Sequence, residues 1–249
     1  MPYIKETCIA GNTIEVRKYY SPRYGVKGEK RKKRLKPTEE SVKRANVRKA
    51  ETDLRRLMNH NFDKKAWSVT LTFRRQPSLE ELQKAVARFT RKLRTIAKRN
   101  QEKNTKKEQS EMKYIYVLGI GPRRRHAHML ITGLTAEEIS DAWEEGHMSH
   151  QRVYSDNLRD LASYYIKNAE ESRKHLIEAG LSPGRRWNGS RNLIKPEPQK
   201  EVIKANSYKT DIRCPKGYYI DKDTIYEGVS SFTGLEFFEY TLIRMEGTG

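Results

Sequence analysis

Tyr114-Ile115-Tyr116-Val117-Leu118-Gly119 and His126-Ala127-His128-Met129-Leu130-Ile131-Thr132 are two largely apolar runs of strand length, separated by a turn that contains Gly121 and Pro122. Runs this close together can pair only by folding back on each other, which predicts an antiparallel hairpin. Working toward the N-terminus, Trp67-Ser68-Val69-Thr70-Leu71-Thr72-Phe73 alternates. Trp67, Val69, Leu71 and Phe73 share one face and Ser68, Thr70 and Thr72 the other, as expected of a strand with one face packed on helices. Ser78 with Glu81 forms a capping box, and Leu79, Leu82, Val86, Phe89 and Leu93 then recur at helical spacing, predicting an amphipathic helix to about Lys98. A polar linker, Asn100 to Glu111, ends it. Toward the C-terminus, Thr135 and Glu138 form a second capping box. A helix from about Asp156 to Arg173 carries Leu158, Leu161, Ala162, Tyr165 and Ile166 on one stripe. Hairpins interleaved with helices give an α+β class with a central antiparallel sheet flanked by helices; a doubly wound parallel sheet fits less well.

The flanks extend this core. Tyr3 to Ala10 and Thr13 to Tyr20 read as a hairpin around Gly11-Asn12, followed between Ser21 and Pro37 by a basic loop with Arg31, Lys32, Lys33 and Arg34. Thr38 caps a helix that runs to about Leu57 with Glu39 and Glu40 in its first turn. Beyond Gly180, Pro183 and Gly184, strand-like Tyr218 to Tyr226 and Leu235 to Ile243 make the tail β-rich. The expected organisation is therefore three consecutive parts: hairpin, basic loop and helix over 1–60, a core over 61–180, and an extension over 181–249 packed on that core.

With 51 Lys and Arg against 32 Asp and Glu, the chain carries a formal charge of +19. Such a field attracts polyanions, nucleic acid first and an anionic membrane surface second. The first residues hold no apolar stretch of signal length and no run is long enough to span a bilayer, so a cytoplasmic protein without membrane attachment is expected. Cys8 and Cys214 lie far apart and not in a paired metal-binding spacing, so neither a disulfide framework nor a zinc ribbon is indicated. No glycine-rich loop of the Walker type occurs, so the sequence does not support an ATP-driven motor of its own.

His126-Ala127-His128 lies within a predicted strand, so both imidazoles project to one side and can chelate one ion able to polarise a phosphodiester. Two solvent-facing histidines on a basic sheet would give the same pattern. Tyr164-Tyr165-Ile166-Lys167 adds a second group. Tyr164 and Lys167 share a helix face, whereas Tyr165 falls on the apolar stripe, so Tyr164 is the candidate nucleophile. A phenol titrates near 10 in water, and a nearby ammonium or metal favours the phenolate that attack requires. Arg123, Arg124 and Arg125 precede the histidine strand. They read either as phosphate contacts or as a solvated basic turn. Trp187, between Arg185-Arg186 and Arg191, reads either as a stacking platform for an unpaired base or as a core residue. His147 and His150 are expected to be structural.

The order of the Trp67–Phe73 strand, His126-Ala127-His128 and Tyr164-x-x-Lys167 resembles the three motifs of rolling-circle replication initiators in the His-hydrophobic-His (HUH) endonuclease superfamily. Arg186-Trp187-Asn188-Gly189-Ser190-Arg191-Asn192-Leu193 looks like the tail of replication-associated proteins from Gram-positive bacteria, their plasmids and phages. The resemblance implies a ferredoxin-like core and a metal-dependent nickase and strand transferase. In it Tyr164 attacks single-stranded origin DNA to leave a 5′-phosphotyrosyl link and a free 3′-hydroxyl. It also implies that His126 and His128 hold Mg²⁺ or Mn²⁺ and that Lys167 positions or neutralises the nucleophile or phosphate. Host helicase and polymerase are the implied partners. Relatives usually supply an acidic third ligand on the preceding strand, where this chain has Gly119. Either a carboxylate from elsewhere completes the site, or water does, or the metal is weakly held; in the last case Gly119→Glu is expected to improve Mg²⁺ use. A plasmid relaxase, a transposase and an origin-binding protein that does not cut are the rival readings.

Overall fold

The structure, a computed structural model, describes residues 3–21, 38–103, 111–122, 124–203, 205, 207–230 and 234–245. The basic loop, most of the polar linker and Arg123 lie outside the described residues. In chain order the elements are β1 (Tyr3–Ala10), β2 (Thr13–Tyr20), α1 (Glu39–Asn61), β3 (Trp67–Leu71), α2 (Leu79–Lys103), β4 (Lys113–Ile120), β5 (Arg125–Thr132), α3 (Ala136–Asp141), β6 (Met148–Arg152), α4 (Arg159–Glu178), β7 (Asn188–Gly189), β8 (Gln199–Ile203), β9 (Tyr218–Val229) and β10 (Glu236–Arg244). The class is α+β, with two five-stranded antiparallel sheets. No helix among the described residues is long and apolar enough to cross a membrane.

Two compact units divide the chain, residues 1–60 with 195–249, and residues 61–194. In the first, the strand order is β8-β1-β2-β10-β9. The C-terminal strands thus pair with the N-terminal hairpin, Tyr3 opposite Ile203 and Ile243 opposite Thr13, a pairing the sequence did not suggest. Both edges of an isolated two-stranded hairpin leave backbone groups unpaired, and β8 and β10 supply those bonds. Gly11 turns the hairpin with φ +57°, and a Cβ there would lie 2.0 Å from the Asn59 carbonyl oxygen of α1. Buried Glu15 accepts from Arg55 Nε at 2.6 Å and Arg56 Nε at 2.7 Å, and Arg56 also meets Glu6 at 3.1 Å. Burial alone would raise the Glu15 carboxyl; the two guanidiniums hold it below the usual range.

The second unit is a sheet of order β6-β3-β5-β4-β7. Both expected capping boxes are present: Ser78 Oγ accepts from Glu81 N at 3.1 Å, and Thr135 Oγ1 accepts from Glu138 N at 3.2 Å. Val69, Leu71, Ala127, Met129 and Ile131 bury one sheet face against Leu82, Val86, Phe89 and Leu93 of α2 and Ile139 of α3. The unit extends to Ile194 and not to residue 180, because Asn188–Gly189 adds β7 to the edge of β4, Ile115 opposite Gly189. Its two ends are tied together: Asn61 Nδ2 donates to the Ile194 carbonyl at 2.7 Å and Ile194 N donates to Asn61 Oδ1 at 2.9 Å.

Glu15→Gln leaves two part-buried guanidiniums short of a counter-charge, Arg56 keeping only Glu6, so urea denaturation is expected to report a loss of about 2 kcal/mol or more. A loss below about 1 kcal/mol would mean that this ion cluster is energetically neutral.

Candidate active site

β5 is the middle strand of its sheet, and its alternation decides what can react. Ala127 and Met129 turn into the α2 core, while His126 and His128 face the other side, where α4 lies. His126 is partly buried and His128 is only 6% exposed, so the reading as two solvent-facing histidines does not hold. The His126 Nε2 and His128 Nε2 atoms are 3.0 Å apart, and the Tyr164 hydroxyl lies 3.0 Å from the same His128 Nε2. On the other side of the ring, His128 Nδ1 meets Thr70 Oγ1 at 3.0 Å. Thr70 stands directly opposite His128 in the β3–β5 register. If Nδ1 carries the proton and donates to that hydroxyl, the Nε2 lone pair is free to accept.

The electrostatics match this geometry. Burial, reinforced by the neighbouring His126, pulls the His128 pKa from 6.5 down to about 4. Burial also lowers the His126 pKa, with the Glu171 carboxylate opposing the shift and Arg124 adding to it. Neutral imidazoles with converging nitrogens are what a divalent ion requires.

The adjacent tyrosines part company as expected. Tyr164 is 47% exposed with its hydroxyl on the histidine pair. Tyr165 is buried, stacks on His128 with ring centroids 6.0 Å apart, and has its phenol pKa pushed far up by burial. Its hydroxyl lies near Ser68 without a well-formed hydrogen bond. Lys167 is exposed on the Tyr164 face of α4, and Asn168 Nδ2 donates to the Tyr164 carbonyl at 2.8 Å. Two turns on, Ser172 Oγ accepts from Ile120 N at 2.7 Å and lies 2.9 Å from the Leu118 carbonyl. Beyond Tyr116 no β7 residue pairs with β4, so this hydroxyl serves backbone groups on the strand's open edge.

Gly119 stands opposite His126. A Cβ built there would fall 2.3 Å from His126 Nε2. The glycine therefore leaves room for the ring as it stands, and a side chain at 119, that of Gly119→Glu included, requires the His126 ring to move.

The basic residues scatter. Arg124 is exposed beside the site, whereas Arg125 lies on the Ala127 side of β5 and its guanidinium donates to the Pro77 carbonyl at 2.5 Å. Arg186 is engaged by Glu170 at 2.6 Å, and Trp187 is half-buried next to β7. Of that segment's arginines, Arg185 and Arg191 are exposed. His150 meets the Trp67 ring edge-on at 5.4 Å, a structural contact. Sequence reasoning missed Thr70 and Ser172. The polar face of the β3 pattern contained the signal for Thr70; no local pattern singled out Ser172.

Residues 66–173 match the family described as replication-associated protein ORF2/G2P. The matched interval begins one residue before β3 and includes Thr70, Gly119, both histidines, Tyr164, Lys167 and Ser172. No curated protein and no solved structure shows a significant match to the chain.

His128 is depressed in the folded state, so the unfolded chain takes up more protons between 6.5 and about 4 and stability falls as pH drops through that window. In chelator-containing buffer, urea denaturation from pH 7 to 4 is expected to show this slope, up to about 1.4 kcal/mol per pH unit for His128. His128→Asn flattens it. Equal slopes in both proteins would refute the buried neutral ring.

Proposed function

We propose that this chain, similar over residues 66–173 to replication-associated protein ORF2/G2P, initiates replication by nicking and rejoining single-stranded origin DNA. The chemistry is tyrosine transesterification supported by Mn²⁺ or Mg²⁺ at His126 and His128. The observation that carries this reading is the convergence of three groups. Tyr164 Oη and His126 Nε2 each lie 3.0 Å from His128 Nε2, which sets a nucleophile beside a chelating pair.

The residues fit a divalent ion: both rings are held neutral by burial, and neighbouring ligands on an ion at about 2.1 Å stand about 3 Å apart, the spacing of these two nitrogens. When bound, the ion supplies Lewis-acid polarisation of the scissile phosphate and stabilises the charge that develops on it. Tyr164 Oη forms a bond to phosphorus while the bond from phosphorus to the 3′-oxygen breaks. The phenol's proton is transferred, in net terms, to that oxygen. The energy of the broken ester is kept in the phosphotyrosine, so a later 3′-hydroxyl reverses the step without nucleotide fuel. In this reading Lys167, exposed on the same helix face, supplies an ammonium that offsets the phenolate or phosphate charge. Arg124, Arg185 and Arg191 are exposed and available to backbone phosphates. The free 3′-hydroxyl is a primer end for a host polymerase, and strand opening is left to a host helicase.

Tyr164→Phe is expected to bind origin oligonucleotides with unchanged affinity and to form no covalent adduct with Mn²⁺. Tyr165→Phe keeps the adduct and is neutral or up to about 1 kcal/mol more stable, since its hydroxyl is buried without a good partner. Peptide mapping of the trapped DNA–protein link decides the matter: a link at Tyr165, or an active Tyr164→Phe protein, sinks the assignment.

Thr70→Val keeps the shape and removes the partner of His128 Nδ1. Metal affinity, read by isothermal titration with Mn²⁺, is expected to fall about 10- to 100-fold. An unchanged affinity would mean that Thr70 does not set the tautomer.

A further inference from the structure

The β4–β5 hairpin has no carboxylate between Met112 and His128, and position 119 cannot take one without displacing the His126 ring. Among the described residues, no three His, Cys, Asp or Glu side chains already converge to hold a metal. A carboxylate that joins the two histidines therefore comes from outside this hairpin, on a side chain with freedom to turn in.

Two anchors say where such a side chain can stand. Tyr164 fixes α4 at the level of the Val117–His128 pair, and Ser172 fixes it at Leu118 and Ile120, the two residues that straddle Gly119 and hence the Gly119–His126 pair. Glu171 immediately precedes Ser172 and follows Tyr164 by seven positions, which returns it to the Tyr164 face after two turns. It is exposed on that face, so its side chain has room to turn toward the Gly119–His126 pair. Its neighbour Glu170 is engaged elsewhere, by Arg186 at 2.6 Å and Arg173 at 3.5 Å.

We infer that Glu171 is the acidic ligand of the metal held by His126 and His128, supplied from the nucleophile helix α4 in place of the strand position occupied by Gly119. The inference rests on the metal-dependent reading given above. It makes the site one assembled by helix docking: two nitrogen ligands from β5, one oxygen ligand from α4, and Gly119 as the space that lets the His126 ring lie between them. A carboxylate oxygen beside two imidazoles is also the addition that suits a hard ion such as Mn²⁺ or Mg²⁺.

The test is binding of Mn²⁺ alone to the full chain, by isothermal titration and by the electron paramagnetic resonance signal of free Mn²⁺. Glu171→Gln is expected to weaken binding at least about tenfold. Glu178→Gln, an equal charge change farther along the helix, stays within about twofold of wild type. Glu171→Asp keeps the charge but shortens the reach, so a ligand role weakens binding there too, whereas a field effect alone preserves it. Wild-type affinity in Glu171→Gln or Glu171→Asp, alongside lost binding in His128→Ala, overturns the ligand assignment and leaves the nickase reading standing. Absence of Mn²⁺ binding in the wild-type chain overturns both.

Discussion

The geometry of the candidate site depends on how one helix is held on one strand edge. Short β7 stops pairing β4 at Tyr116, and farther along it is a serine hydroxyl that meets the backbone of Leu118 and Ile120. An open strand edge accepts any partner in several registers, because its backbone groups repeat every second residue. Ser172, which accepts from Ile120 N, marks the register adopted here, together with the buried apolar face of α4. With α4 fixed in position along β4, Tyr164 reaches the histidine pair while Tyr165 goes under it. A shift of α4 by one residue would rotate the helix by about 100° and exchange solvent for core at the reacting position.

Burial divides the labour between neighbours. The His128 ring is sealed between Thr70, Tyr165 and the backbone of its own sheet, which keeps it neutral and in one orientation. Tyr164, next in sequence to the buried ring that seals it, is left open to a large substrate. Rigidity is therefore concentrated in the histidine pair and access at Tyr164, the combination that the proposed reaction on a flexible DNA strand calls for.

Much of this was legible in the sequence because it is local. Period-two alternation at His126–Ile131 and the two capping boxes gave strand, helix starts and the shared side of the histidines from residues a few positions apart. Choosing Tyr164 over Tyr165 likewise needed only helical spacing. What escaped is non-local. Thr70 becomes a partner of His128 only through the β3–β5 register, and Gly119 looked like a missing ligand until the ring opposite it was known. Arg125 and Arg186 read as free cations because a sequence does not display the Pro77 carbonyl or the Glu170 carboxylate that engage them. The pairing of β8 and β10 with the N-terminal hairpin was not legible either, because strand pairing across some two hundred residues leaves no trace in either strand alone.

The clasp between Asn61 and Ile194 bears on how the chain can fold as it comes off the ribosome. Residues 61–194 contain every strand of their own sheet, so this unit can complete its pairing as soon as Ile194 emerges. The hairpin made first must wait longest. Its two edges stay unpaired until β8 and β10 have been synthesised, and domains generally fold as units in order of appearance. An early-folding insert whose start and end are hydrogen-bonded to each other keeps the waiting hairpin within reach of its late partners, and so shortens the effective loop that the final pairing has to close.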